Sequence, residues 1–162
     1  MLRSRVLSLR PDHLPARLLR RVLLTNERTV LFVCVGNAAR SLMAEAFFNA
    51  DPPTGWRAVS AGTQPARLPN PRTAPMLAEV GVAPPPHRPQ ALTESMTDSA
   101  QVRITMGCLD EASCPARLKS GPVEDWGLPD PAALADPEFR SVRDEIRRRV
   151  AELRTRLSSL PK

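Results

Sequence analysis

Four residues carry most of the chemical promise of this chain by type: Cys34, Arg40, Cys108 and Cys114. Cys34 opens the run Cys34-Val35-Gly36-Asn37-Ala38-Ala39-Arg40-Ser41, which places a thiol, a glycine and a guanidinium in one short loop. Such a loop can hold a tetrahedral oxyanion against a sulfur nucleophile. Gly36 is expected to relax the backbone so that successive N–H groups turn inward as an anion nest. Arg40 adds a planar fork that takes two oxyanion oxygens at once. Beyond it, Leu42, Met43, Ala46, Phe47 and Ala50 recur at helical spacing, so the positive end of a helix points back at the same place. These groups together favour a thiolate nucleophile at Cys34, and Ser41 can donate its hydroxyl to the sulfur. A cysteine and an arginine at this spacing are weak evidence in so arginine-rich a chain; the strand before them and the helix after them make the pattern specific.

The elements that must position these residues are legible in outline. Val30-Leu31-Phe32-Val33 is short, β-branched and aromatic, as a buried strand ending at Cys34 should be. Trp56 to Ala61 alternates as a second strand ending in Gly62, Gln101 to Met106 forms a third, and a short fourth lies around Pro122 to Asp125. Pro71 to Val80 reads as a helix closed by Gly81, with Ala74, Met76, Leu77 and Val80 sharing a face. Pro84-Pro85-Pro86 enforces an extended linker, and Thr93 caps a short helix running to about Ala100. The last helix is the clearest. Asp136 is its expected cap and Pro137 its first helical residue, with Phe139, Val142, Ile146, Val150, Leu153 and Leu157 three or four apart and Pro161 as the stop. Arg147, Arg148 and Arg149 fall mostly off that stripe and read as solvated surface. Strands alternating with helices predict an α/β fold, a single domain with a four-stranded parallel sheet and helices on both faces. The loop after a strand's carboxyl end is where such sheets bind ligands.

At 162 residues the chain can bury the core of one domain. Its three cysteines, an odd number at uneven spacing, come with no apolar leader and no stretch able to span a bilayer. This argues for a cytoplasmic protein with catalytic or redox thiols and without a membrane partner, rather than a disulfide-stapled secreted one; a monomer is expected, although the sequence does not fix the oligomeric state. The net charge of +6 is unevenly placed. Residues 1–28 hold arginines 3, 5, 10, 17, 20, 21 and 28 against Asp12 and Glu27, leaving the remainder nearly neutral. The expected organisation is a basic, mobile N-terminal extension over 1–28 and a catalytic domain over 29–160. A polybasic tail of this kind is a poor argument for nucleic-acid binding. Cys108 and Cys114 without nearby histidines are too few for structural zinc. His13 and His87 sit in proline-rich surroundings and receive no role, so neither metal nor cofactor is expected.

The active loop, with Ser60-Ala61-Gly62-Thr63, Ile104-Thr105-Met106-Gly107-Cys108, Cys114-Pro115 and Asp125-Trp126-Gly127-Leu128-Pro129-Asp130-Pro131-Ala132, resembles the low-molecular-weight protein tyrosine phosphatase fold, and specifically the arsenate reductases built on it. The resemblance runs from about Thr29 to Leu157; Ala38 and Ala39 depart from its commonest sequence, which has Ser and Cys there. It implies that Cys34 attacks arsenic, that Cys108 attacks Cys34 and expels arsenite, and that Cys114 attacks Cys108. The Cys108–Cys114 disulfide would then pass to thioredoxin or another thiol reductant. Fewer residues separate Cys108 from Cys114 than in the usual thioredoxin-coupled members, which leaves the reductant open. The resemblance also makes Asp130 the acid, although Pro-Asp-Pro is ordinary turn chemistry too. A phosphatase acting on phosphotyrosine or small phosphomonoesters stays open, as does a non-catalytic oxyanion or arsenic sensor. Against phosphotyrosine stand the four Phe, two Trp and no Tyr of the chain, with Pro-Ala-Ala following Asp130 where the phosphatases tend to carry Tyr.

Overall fold

Val30 to Cys34 are buried without a break, because the first strand runs through the middle of a sheet that is covered on both faces. In the computed structural model, which describes residues 27–107, 118 and 121–161, the order is β1 (Arg28–Cys34), α1 (Arg40–Ala50), β2 (Trp56–Gly62), α2 (Thr73–Ala78), α3 (Glu94–Ser99), β3 (Val102–Thr105), β4 (Val123–Asp125), a 3-10 turn (Pro131–Ala133) and α4 (Asp136–Ser158). Among the described residues the strands lie in the order β2-β1-β3-β4, and every pairing is parallel. Cys34 is paired with Gly62 of β2, and Val33 with Thr105 of β3. The carboxyl ends of three strands therefore meet around Cys34. The chain leaves β1 toward β2 on one side and takes up β3 on the other, so Cys34 stands at the switch point where open α/β sheets place their ligands.

The strand alternation sorts the core into two layers. Val30, Phe32 and Cys34 face the larger one, with Met43, Phe47 and Phe48 from α1, Met76 and Leu77 from α2, and Phe139, Ile146, Val150 and Leu153 from α4. Leu31 and Val33 face the smaller one, with Ala61, Ala100 and Leu118, and with Met96 of α3 packed alongside. Phe32 anchors the larger layer, its ring 6.2 Å from Phe48 edge-on and 5.7 Å from Trp126. Burying a side chain of this kind is worth about 1.5–3 kcal/mol. That rigid layer fixes the direction in which β1 delivers Cys34.

Three local expectations are revised. β1 takes in Arg28, assigned to the extension: its amide donates to Gly55 O and its guanidinium lies 4.4 Å over the Trp56 ring. α2 is shorter than 71–80, and Ala74 is exposed while Thr73 is buried with Met76 and Leu77. α4 has Ala135, not Asp136, at its cap; the Asp136 carboxylate is drawn instead to Arg72 at 3.1 Å. Thr93 does cap α3, accepting from the Met96 amide at 3.2 Å.

Candidate active site

The loop between β1 and α1 is strapped from outside. Carbonyls of Cys34, Val35, Gly36 and Ala38 accept from the amides of Thr63, Gln64, Ala66 and Asn70, at 3.1, 2.9, 2.8 and 3.0 Å, and Ala38 O also accepts from Thr73 Oγ1 at 2.8 Å. With these carbonyls bonded to the strap, the Asn37 amide turns toward Cys34 Sγ at 3.2 Å, the direction an anion nest requires. α1 opens at Ala39 with no side-chain cap, so its first N–H groups and its dipole serve the same cradle.

The backbone turn that makes this possible is not at Gly36. The left-handed residue is Asn37, at φ 47°, and a Cβ on Gly36 would meet only ordinary contacts at 3.8 and 3.9 Å. Asn37 holds this conformation through its completely buried side chain. Its Nδ2 donates to Ser41 Oγ at 2.8 Å and to Ser60 Oγ at 2.9 Å, and its Oδ1 accepts from the Gln90 amide at 2.9 Å. The glycine that is sterically required sits across the sheet. A Cβ on Gly62 would lie 2.6 Å from Val35 O and 3.0 Å from Asn37 N, so only glycine lets β2 approach the cradle this closely.

Cys34 is buried and free, and its Sγ is met by two polar groups, the Asn37 amide at 3.2 Å and Ser41 Oγ at 3.0 Å. Ser41 already accepts from Asn37, so its own proton is available to the sulfur. The Asn37 amide donates to the sulfur, and the Ser41 hydroxyl is placed to exchange a hydrogen bond with it. Behind Asn37, Ser60 Oγ donates to Glu45 Oε2 at 2.5 Å, and the same oxygen is 3.0 Å from His87 Nε2. His87 Nδ1 lies 2.8 Å from the Arg88 carbonyl. Both ring nitrogens thus face acceptors, an environment that only imidazolium satisfies. Burial by itself would lower the His87 pKa, but the Arg88 carbonyl and the Glu45 carboxylate outweigh it and raise the value above 6.5.

Arg40 is buried and spans the site. Its Nη1 donates to Met106 O at 3.2 Å and Leu128 O at 2.9 Å, while Nη2 stands 3.4 Å from Asp130 Oδ2. The segment bearing Asp130 is guided there from β4: Trp126 N donates to Thr105 O and Leu128 N to Met106 O, with Gly127 in the left-handed region. The Asp130 side chain is 58% exposed, and its Oδ1 accepts from Ala132 N at 3.0 Å. It thus both shapes the turn and pairs with Arg40. The site brings together Cys34, Val35, Gly36, Asn37, Ala38, Ala39, Arg40, Ser41 and Asp130. Cys108 and Cys114 lie outside the described residues. Sequence reasoning gave no role to His87 and missed Gln90 and the strap beyond Thr63, which reach the loop only across the fold.

A buried cysteine at a strand end, in a loop whose arginine stands 3.4 Å from an aspartate, has the layout of a site that can bind and transfer an oxyanion. The chain belongs to the low molecular weight phosphotyrosine protein phosphatase family, whose profile matches residues 29–160. It is 32% identical to arsenate reductase 1 of Staphylococcus epidermidis over 75% of this chain and 91% of that protein. Among solved structures, it resembles an arsenate reductase from Archaeoglobus fulgidus at 36% identity and a TM-score of 0.67, covering 78% of this chain and 98% of that one. A thioredoxin-dependent arsenate reductase of Corynebacterium glutamicum matches at 29% identity and a TM-score of 0.65, covering 83% of this chain and 63% of that one.

Proposed function

We propose that this protein reduces arsenate to arsenite at Cys34. The observation that carries the reading is Cys34 Sγ held against the Asn37 amide and the Ser41 hydroxyl inside a cradle beside which β3 ends: Met106 N donates to Val33 O at 2.9 Å, and Met106 O accepts from Arg40. Cys108 follows Met106 by two residues, a tether of at most about 7 Å of chain. The Cys34 thiolate forms a bond to arsenic, and an arsenate oxygen leaves as water with a proton from Asp130. The Cys108 thiolate then attacks Cys34 Sγ. A disulfide forms, the sulfur–arsenic pair passes to arsenic, and As(V) departs as As(III) arsenite. Cys114 attacks Cys108 in turn, forming the Cys108–Cys114 disulfide and releasing Cys34 as thiolate. An external dithiol of the thioredoxin type returns that disulfide to two thiols, a step suited to the cytoplasm, and a monomer contains every group required.

The same cradle supports weak hydrolysis of phosphate monoesters, a reading favoured by Asp130 standing across from Arg40. Arsenate turnover measured with and without thioredoxin tests the main reading. Multiple turnovers that need the dithiol and vanish in Cys34→Ser support it. Stoichiometric binding without arsenite release would favour a sensor.

A further inference from the structure

Arg72 grips the turn that carries Asp130 more extensively than any other side chain among the described residues. Its Nη2 donates to the carbonyls of Pro131 and Ala132 at 3.1 and 2.9 Å, and its Nη1 to Leu134 O at 2.7 Å and to Asp136 Oδ1 at 3.1 Å. The guanidinium lies 4.7 Å over the ring of Phe139, which is fully buried. Below that clamp the chain is tied to the cradle. Arg72 N donates to Asn70 Oδ1, Asn70 N to Ala38 O, and Thr73 Oγ1 to the same Ala38 oxygen. One short segment therefore holds the cradle at one end and the acid's turn at the other. Asp130 needs this support, since its own side chain is largely exposed and its only other described ties are Ala132 N and Arg40.

We infer that Arg72 is a positioning residue for the general acid, setting the distance of Asp130 from the oxyanion cradle through the carbonyls of Pro131, Ala132 and Leu134. It touches neither substrate nor sulfur. A planar fork that serves three carbonyls and a carboxylate and also stacks on a ring is not replaced by the point charge of lysine. The inference rests on the reading of Asp130 as the acid. Its signature is therefore a change in sensitivity to the leaving group, because a departing oxygen of high pKa needs the proton and one of low pKa does not.

The test compares kcat/KM for phenyl phosphate and p-nitrophenyl phosphate in wild type, Arg72→Met, Arg72→Lys and Asp130→Asn, with urea unfolding as a check on folding. Arg72→Met is expected to lose about tenfold more on phenyl phosphate than on p-nitrophenyl phosphate, a part of the roughly 100-fold or more that a positioned acid contributes. Inhibition by inorganic phosphate should be unchanged, Arg72→Lys should show the same split to a lesser degree, and Arg72→Met should add no further split in the Asp130→Asn background. Equal losses on both esters, or weakened phosphate inhibition in the folded Arg72→Met and Arg72→Lys proteins, would overturn the inference and leave Arg72 a structural residue. If Asp130→Asn shows the split and the Arg72 variants do not, the positioning role alone fails. If Asp130→Asn shows none, the acid assignment itself is lost, and this inference with it.

Discussion

Replacing Asn37 separates backbone strain from hydrogen bonding at the centre of the cradle. Its side chain makes three hydrogen bonds in full burial, two donated to Ser41 and Ser60 and one accepted from the Gln90 amide. Each bond is worth about 1 kcal/mol net, and truncation also strands the part-buried Gln90 N–H. Alanine at φ 47° adds about 1 kcal/mol for the left-handed conformation, so Asn37→Ala should cost about 4 kcal/mol in all. That is a large part of the about 5–15 kcal/mol that keeps a domain folded. Asn37→Gly loses the same hydrogen bonds yet adopts φ 47° freely, and should be milder by about 1 kcal/mol. Urea unfolding of wild type and both variants measures the difference, and arsenate turnover reports the site. Turnover should fall by about 100-fold in both, the usual cost of a misaligned oxyanion donor. Equal stability of the two variants would refute the strain argument, and near-normal turnover in either would show that the strap of 63–73 holds the cradle without Asn37.

Three further outcomes follow from the same geometry. Gly62→Ala drives a Cβ to 2.6 Å from Val35 O and should cost about 1–3 kcal/mol as overpacking, with arsenate turnover falling more than stability does; an unchanged KM and kcat would show that the cradle yields without loss. Cys108→Ala should abolish arsenate reduction while sparing aryl phosphate hydrolysis, and Cys114→Ala should stop after one turnover with a Cys34–Cys108 disulfide visible by mass spectrometry; repeated arsenate reduction by Cys108→Ala would end the relay. Stability should also fall at both extremes of pH. Hydrogen bonds from Arg140 and Arg143 hold Glu79 at about 2 instead of 4.5, so its contribution is present above 4.5 and is lost as pH falls toward 2; the raised pKa of His87 gives a contribution present below 6.5 and lost as pH rises through the higher folded value. Urea midpoints against pH should flatten on the acid side in Glu79→Gln and on the alkaline side in His87→Gln, and unaltered slopes would remove these groups from the account.

What the sequence by itself determined was local. A β-branched run before Cys34 and a helical period after Arg40 suffice to place a thiol between a strand end and a helix start, because both periodicities are properties of neighbouring residues. The stripe from Phe139 to Leu157 is read in the same way, and all of its members are buried. Helix ends were less legible: Asp136 has the composition of a cap, but a guanidinium from 64 residues away competes for its carboxylate, and no local pattern records that competition.

The chemistry of the cradle was decided by tertiary structure. Glycine is the residue that tolerates left-handed backbone most freely, so local reasoning put the turn at Gly36. The fold puts it at Asn37 because Ser60 and Gln90, from 23 and 53 residues away, offer partners that offset the strain. The same distance hides the requirement for glycine at 62, which exists only once β2 pairs with β1 in the register Cys34 to Gly62. Arg72 and His87 are anonymous in sequence for a like reason. A positioning contact is a property of two surfaces, and the parallel order β2-β1-β3-β4 brings those surfaces together only after the chain has crossed the sheet and returned.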